Sequence, residues 1–191
     1  MPAPDSSGPP HDLARLIEVL DRHSVDYLLA GGAAARAYGA ERLTEDADCV
    51  VRRERPNLDR LARAMRELNA RLRVSGMSDD DARQLPVQLD GNMLASPDIS
   101  TWMTDAGGFD VLPGLVGADG LLVPYEDLVR RQTIIRGAGF TIRAAALEDI
   151  ITAKERAGRP KDHDALPELR ALRDARTTEE RCPTPPDVGG G

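Results

Sequence analysis

Two glycines followed at a fixed interval by two acids constrain this chain more than any other feature of it. Gly31-Gly32 closes the apolar stretch Val25 to Ala30. Thirteen residues later come Asp46-Ala47-Asp48, which run directly into Cys49-Val50-Val51. The second stretch reads as a strand, and strand side chains alternate faces with period 2. Asp46 and Asp48 therefore point the same way, about 6–7 Å apart from the rise per residue. Like charges held side by side raise each other's pKa unless a cation lies between them. Mg²⁺ suits such a pair, because it takes one or two protein carboxylates and leaves its remaining positions to water and phosphate oxygens.

At 191 residues the chain is long enough to bury one substantial core. The apolar fraction is 41% but aromatics are only 3%, so that core is built from Leu, Val, Ile and Ala. A net charge of −7 excludes a surface that is basic throughout, leaving room only for a local patch facing nucleic acid. Among 25 basic residues, Lys154 and Lys161 are the sole lysines, which marks them for attention. Cys49 and Cys182 are the only cysteines, one in a core strand and one in a loose tail. No disulfide partner or zinc site is expected, and a reducing cytoplasm fits. No apolar run approaches 18 residues, so no membrane span is expected. The N-terminus lacks the plan of a signal peptide.

The expected organisation is a disordered segment over 1–10, a core over 11–145, C-terminal helices over 146–176 packed on it, and a disordered tail over 177–191. Apolar spacing predicts a helix from Asp12 to about His23. A strand follows over Val25–Ala30, then a short helix over Ala33–Tyr38 and the acid-bearing strand over Thr44–Val51. Pro56 opens a helix with Leu58, Leu61, Ala62, Met65 and Leu68 on one face. Residues 75–98 are irregular. Ile99–Met103 and Phe109–Leu112 read as a hairpin turned by Ala106-Gly107-Gly108. Thr133–Ile135 and Phe140–Arg143 read as a second hairpin around Gly137-Ala138-Gly139. Helices are expected over Tyr125–Arg131, Leu147–Ala157 and Asp164–Arg176. The fold class is α/β (mixed α+β), a mixed sheet flanked by helices with a helical C-terminal extension.

Asp110 is a third acid, set in the apolar segment Phe109-Asp110-Val111-Leu112. It either caps the hairpin turn or, if its strand lies beside the first, joins Asp46 and Asp48 on one sheet face. The second case is the arrangement of a two-metal phosphoryl-transfer site. Gly31-Gly32 is either an ordinary tight turn or a place where backbone N–H groups receive phosphate at a helix start. Arg42 is a loop cation that either faces solvent or touches phosphate. His11, His23 and His163 show no metal spacing, and Trp102 and Tyr38 read as core.

The interval Gly31-Gly32, thirteen residues, Asp46-Ala47-Asp48-Cys49 resembles the signature of the nucleotidyltransferase superfamily, the DNA polymerase β-like fold. The wider wording, YLLAGGAAARAYGAERLTEDADCVV and LEDIITAKERAGRPKDHDALPEL, is similar to small bacterial toxin nucleotidyltransferases of the AbiEii and MenT type. It covers roughly residues 12–175. The resemblance implies a minimal nucleotidyltransferase core in which Asp46 and Asp48 hold Mg²⁺. It implies that Asp110 is the third carboxylate, ligating metal or deprotonating the acceptor. Gly31 and Gly32 would receive the triphosphate of an NTP, and Lys154 would reach a phosphate. Many members carry Ser where this chain has Gly32, so that hydroxyl contact must come from elsewhere.

The activity implied is transfer of a nucleoside monophosphate from an NTP such as ATP or CTP to an acceptor hydroxyl, with release of pyrophosphate. The resemblance further implies a tRNA 3′ end as acceptor, growth arrest as outcome and a cognate antitoxin as partner. The sequence offers one candidate RNA face, an Arg-rich helix with Arg60, Arg63, Arg66, Arg71 and Arg73, against an ordinary solvated surface. A small-molecule acceptor such as an aminoglycoside, and an inactive binding module on the same fold, are the alternatives.

Overall fold

The structure is a computed structural model, and it describes residues 12–42, 44, 46–136 and 140–181. His11, Cys182, the loop Gly137-Ala138-Gly139 and both terminal segments lie outside the described residues.

Helix α1 spans Leu13–Arg22, started by Asp12, whose carboxylate accepts from the Arg15 N–H at 3.0 Å. It packs Leu16, Ile17, Val19 and Leu20 inward. Strand β1 (Tyr27–Ala30) is buried at every position. Helix α2 (Gly31–Ala37) follows with no loop between, so the two glycines are its first residues and not a turn ahead of it. Strand β2 (Asp46–Val51) alternates as its sequence requires: Asp46 and Asp48 half-buried on one face, Ala47, Cys49 and Val51 fully buried on the other. Helix α3 (Arg55–Glu67) carries Pro56 in its first turn, where the missing N–H costs nothing. It buries Leu58, Leu61, Ala62 and Met65, and Leu68 just beyond its end.

The stretch expected to be irregular holds two short helices, α4 (Asp79–Gln84) and α5 (Gly91–Leu94), capped by Ser78 and Asp90. Before them comes the two-residue strand β3 (Arg71–Leu72). Strands β4 (Ser100–Thr104) and β5 (Gly107–Leu112) form the expected hairpin, but Gly107 and Gly108 belong to β5 and the turn is Asp105-Ala106. A second small ribbon, β6 (Leu115–Val116) with β7 (Leu122–Val123), was not legible in the sequence. Helix α6 covers Tyr125–Leu128 and a 3₁₀ turn extends it over Val129–Arg131. Strands β8 (Thr133–Arg136) and β9 (Thr141–Ala144) are the second hairpin. Helix α7 spans Leu147–Ala157. Helix α8 starts earlier than expected, at Pro160, and runs to Arg181 through Pro167. Residues 177–181, expected in the loose tail, are thus helical.

Among the described residues the main sheet has seven strands in the order β3-β4-β5-β2-β1-β9-β8. It is mixed: β2 runs antiparallel to β1 but parallel to β5, and β1 runs parallel to β9. Helices α7 and α8 pack on each other, and α7 also packs against α2 and β6. The mixed sheet flanked by helices is the architecture the sequence predicts. Trp102 is fully buried and Tyr38 nearly so, the latter donating to the Ala145 carbonyl at 2.8 Å.

Candidate active site

The parallel pairing of β2 with β5 sets Asp48 directly opposite Asp110, and Asp46 opposite Gly108. Adjacent strands lie about 5 Å apart. The sheet itself therefore brings Asp48 and Asp110 side by side, with Asp46 one pleat along on the same face. Gly108 makes room for Asp46: a Cβ there would stand 1.8 Å from Asp46 Oδ1. Gly31 does the same for Asp48. A Cβ at Gly31 would meet Asp48 Oδ2 at 1.7 Å, and its φ of +56° is left-handed. Both glycines are required by close approach of a carboxylate.

Gly32 answers a different neighbour. A Cβ at this position would lie 2.8 Å from Thr44 Oγ1, so Thr44 fills the space a serine side chain would need. The Thr44 hydroxyl donates to the Asp46 carbonyl at 2.9 Å. The Gly32 backbone N–H lies near the Asp48 carboxylate and lowers its pKa. That N–H, expected to face phosphate, thus already steadies an acid.

These residues floor a cleft of about 590 Å³. Gly31, Gly32, Arg42 and Thr44 line it, and Lys154, Arg159 and Lys161 enter it from α7, the loop after it and α8 respectively. The acids are therefore open to solvent. Arg42 is an exposed loop residue at the rim, where its carbonyl accepts from Arg36. Lys154 is not a free cation above the acids. Its Nζ donates to Asp162 Oδ1 at 3.1 Å, and Arg159 binds the same carboxylate at 2.6 Å. Asp162 is fully buried. Burial pushes its carboxyl up, but the hydrogen bonds from Arg159 and Lys154 outweigh this and leave it below the usual range. Asp162 thus anchors both cations at the cleft and ties α7 to α8. The parts played by Asp162, Arg159 and Lys161 were not legible in the sequence, because all three depend on how two helices pack.

The electrostatics mark this face. Burial raises the Asp110 pKa to about 7, and Asp48 and Asp46 push in the same direction; Arg73 and Lys161 oppose them. Asp48 is also raised, by burial first; Lys154 pulls it back and Asp46 pushes it up. Asp110 Oδ1 is buried without a hydrogen-bond partner. Shifts of this kind in an open cleft are characteristic of functional sites. Among the described residues no three or more acidic, histidine or cysteine side chains are gathered closely enough to hold a metal ion as they stand. The donor set nevertheless suits a hard divalent ion: three carboxylates on one face, one with an orphaned oxygen, beside open space for phosphate and water.

Arg73 is a further residue of the site. It follows β3 and hydrogen-bonds the Thr101 carbonyl through its N–H, which continues the sheet past Thr101 and Asp110. Its guanidinium donates to Asp46 Oδ1 at 3.0 Å. The expected Arg-rich helix face dissolves accordingly. Helix α3 ends at Glu67, so Arg71 and Arg73 are not on it. Arg60 pairs with Asp26, and Arg71 is buried beside Asp105. Arg63 and Arg66 remain exposed on α3. Glu67, which follows them, pairs with Arg22 and His23.

The mixed sheet flanked by helices is shared with solved nucleotidyltransferases. Solved structures of that class align over nearly the whole chain. The lincosamide antibiotic adenylyltransferase LnuA, solved with lincomycin bound, matches with a TM-score of 0.57 at 14% identity, covering 84% of this chain and 96% of its own. The enzyme ANT(2″)-Ia in complex with adenylyl-2″-tobramycin matches with a TM-score of 0.50 at 16% identity, covering 88% and 96%. At such identities the likeness is one of fold. No family model matches the sequence, and no curated protein matches it.

Proposed function

We propose that this chain is a metal-dependent nucleotidyltransferase that moves a nucleoside monophosphate from an NTP to an acceptor hydroxyl. The observation that carries this reading is the register Asp48↔Asp110, with Asp46 beside them, on the floor of a cleft lined by Lys154, Arg159 and Lys161. Asp46, Asp48 and Asp110 would hold Mg²⁺, which when bound supplies charge neutralisation to the phosphates and acidity to a nearby hydroxyl.

The remaining work falls to the chain itself. Lys154 and Arg159, fixed by Asp162, and Lys161 beside them oppose the negative charge of the triphosphate. The new bond joins the acceptor oxygen to the α-phosphorus; the α–β anhydride bond breaks, and pyrophosphate leaves. The hydroxyl proton has a destination in Asp110 Oδ1, which has no other partner. Burial and the neighbouring Asp48 and Asp46 hold its pKa at about 7 in the metal-free protein, and a cation held by the same acids would lower it and keep Asp110 ionised to accept that proton. Positioning and electrostatics suffice for such chemistry, so a small scaffold can perform it.

For the acceptor, we place a small hydroxylated molecule first. Three of the five arginines suggested as an RNA face are engaged in ion pairs within the protein. LnuA and ANT(2″)-Ia, which share the fold, were solved with lincomycin and with an adenylylated tobramycin. The rival reading is modification of a tRNA 3′ end by a cytoplasmic toxin held in check by an antitoxin; the resemblance to AbiEii- and MenT-type sequences supports it. Incubation with each α-labelled NTP and Mg²⁺, against total tRNA, tobramycin and lincomycin in turn, separates the readings. Label on a small molecule and not on RNA is the expected result. Label on tRNA alone would establish the rival. Retention of transfer by Asp48→Ala would refute the catalytic assignment.

A further inference from the structure

The sequence suggests Arg73 only as part of an Arg-rich RNA face, yet its side chain is bonded to a member of the acid triad. Its guanidinium donates to Asp46 Oδ1 at 3.0 Å, and both side chains are partly exposed, 48% and 33%. Two further observations define its place. Along the sheet, Asp48, Asp110, Thr101 and Arg73 follow one another across β2, β5, β4 and the extension of β3. Lys154, Arg159 and Lys161 come from α7, the loop after it and the start of α8, with α7 packed against α2. Arg73 therefore reaches the acids from a different element than the cations assigned to phosphate. It is bonded to a carboxylate oxygen that a divalent ion would also need.

We propose that Arg73 is a resident counter-cation, which occupies Asp46 in the metal-free protein and must release it before a divalent ion is held by the full triad. This rests on the metal-dependent reading above. The pair is a partly exposed one, strong enough to compete without locking the site. The consequence is an order of events. Arg73 would leave the acids already partly neutralised toward a free divalent ion. With an NTP also present, Lys154, Arg159 and Lys161 would bind its phosphates, and the combined interactions would release Arg73 from Asp46. Arg73 is thus a positioning residue that couples metal entry to nucleotide entry.

The test uses the full chain stripped of metal, with Mn²⁺ alone as the first probe, followed by electron paramagnetic resonance. Arg73→Gln is expected to bind Mn²⁺ about two- to fivefold more tightly than the unaltered protein, the factor that releasing such a pair provides. Lys161→Gln, which removes a nearby charge not bonded to Asp46, is expected to change Mn²⁺ affinity less. In the unaltered protein the Arg73 Nε–H resonance is expected to shift during titration with Mg²⁺ plus a non-hydrolysable NTP, with the same midpoint as binding. That last measurement does not depend on any variant folding. Equal or weaker Mn²⁺ binding by Arg73→Gln, or an Arg73 resonance unmoved at saturation, would overturn the proposal while leaving the metal-dependent reading intact. Failure of every protein to bind Mn²⁺ at millimolar concentration would overturn both.

Discussion

Asp110 shows how a single residue can set function against stability. Its pKa of about 7 in the folded, metal-free protein lies above the value near 4 for an unfolded aspartate. The folded state therefore holds the proton more tightly. That contribution to stability is present at low pH and is lost as pH rises from about 4 to 7. Asp110→Asn should make the metal-free protein more stable than the unaltered one at pH 8, by about 1–2 kcal/mol after allowing for solvent screening. The advantage should vanish near pH 4, as urea melts at the two pH values would show. A stability difference that is the same at both would mean that Asp110 is not the strained group. Gly32 makes a second residue-scale prediction. Gly32→Ser forces its Cβ against Thr44 Oγ1 and should cost about 1–3 kcal/mol. Adding Thr44→Gly, which removes both the Oγ1 at 2.8 Å and the Cβ at 2.9 Å from the new Cβ, should recover part of that loss; additive costs in the double variant would show that the two residues do not compete for space.

At the scale of elements, the site is the product of one strand register and one helix–helix contact. A one-residue slip of β2 would turn Asp46 and Asp48 into the core and expose Ala47, Cys49 and Val51, so the hydrophobic pattern that buries one face also aims the acids. The contact between α7 and α8 hinges on Asp162, a fully buried carboxylate holding Lys154 and Arg159. Asp162→Asn should lower stability by about 1–3 kcal/mol and weaken NTP binding about tenfold, because both cations lose their anchor. Calorimetric NTP titration beside a thermal melt checks this; weaker folding with unchanged NTP affinity would remove Lys154 and Arg159 from the phosphate site. The same geometry makes Lys154→Met a folding mutation as well as a binding one, since it leaves Asp162 with one partner.

For the molecule as a whole, what was legible in the sequence was what local pattern encodes. Period-2 burial announced β2, Pro56 with its apolar stripe announced α3, and the glycine–acid interval announced the face on which the chemistry lies. The two-residue strands β3, β6 and β7 have too few residues to show a period. Gly108 and Arg73 acquire meaning only through pairing across β4, β5 and β2, and Asp162 only through the packing of α7 against α8. The expected RNA face failed for the same reason: five arginines close in sequence are divided in space between α3 and the β3 edge, and three are engaged within the protein. A chain of net charge −7 places lysine at only two positions, and both line the cleft beside its three acids.

The most direct test of this arrangement is a crystal of the protein grown with Mn²⁺ and a non-hydrolysable NTP, examined for anomalous scattering. The account predicts a metal peak within about 2.0–2.3 Å of carboxylate oxygens from Asp48 and at least one of Asp46 and Asp110, with the triphosphate extending toward Lys154. A nucleotide bound with no metal at these carboxylates, or a metal peak elsewhere in the molecule, would contradict it.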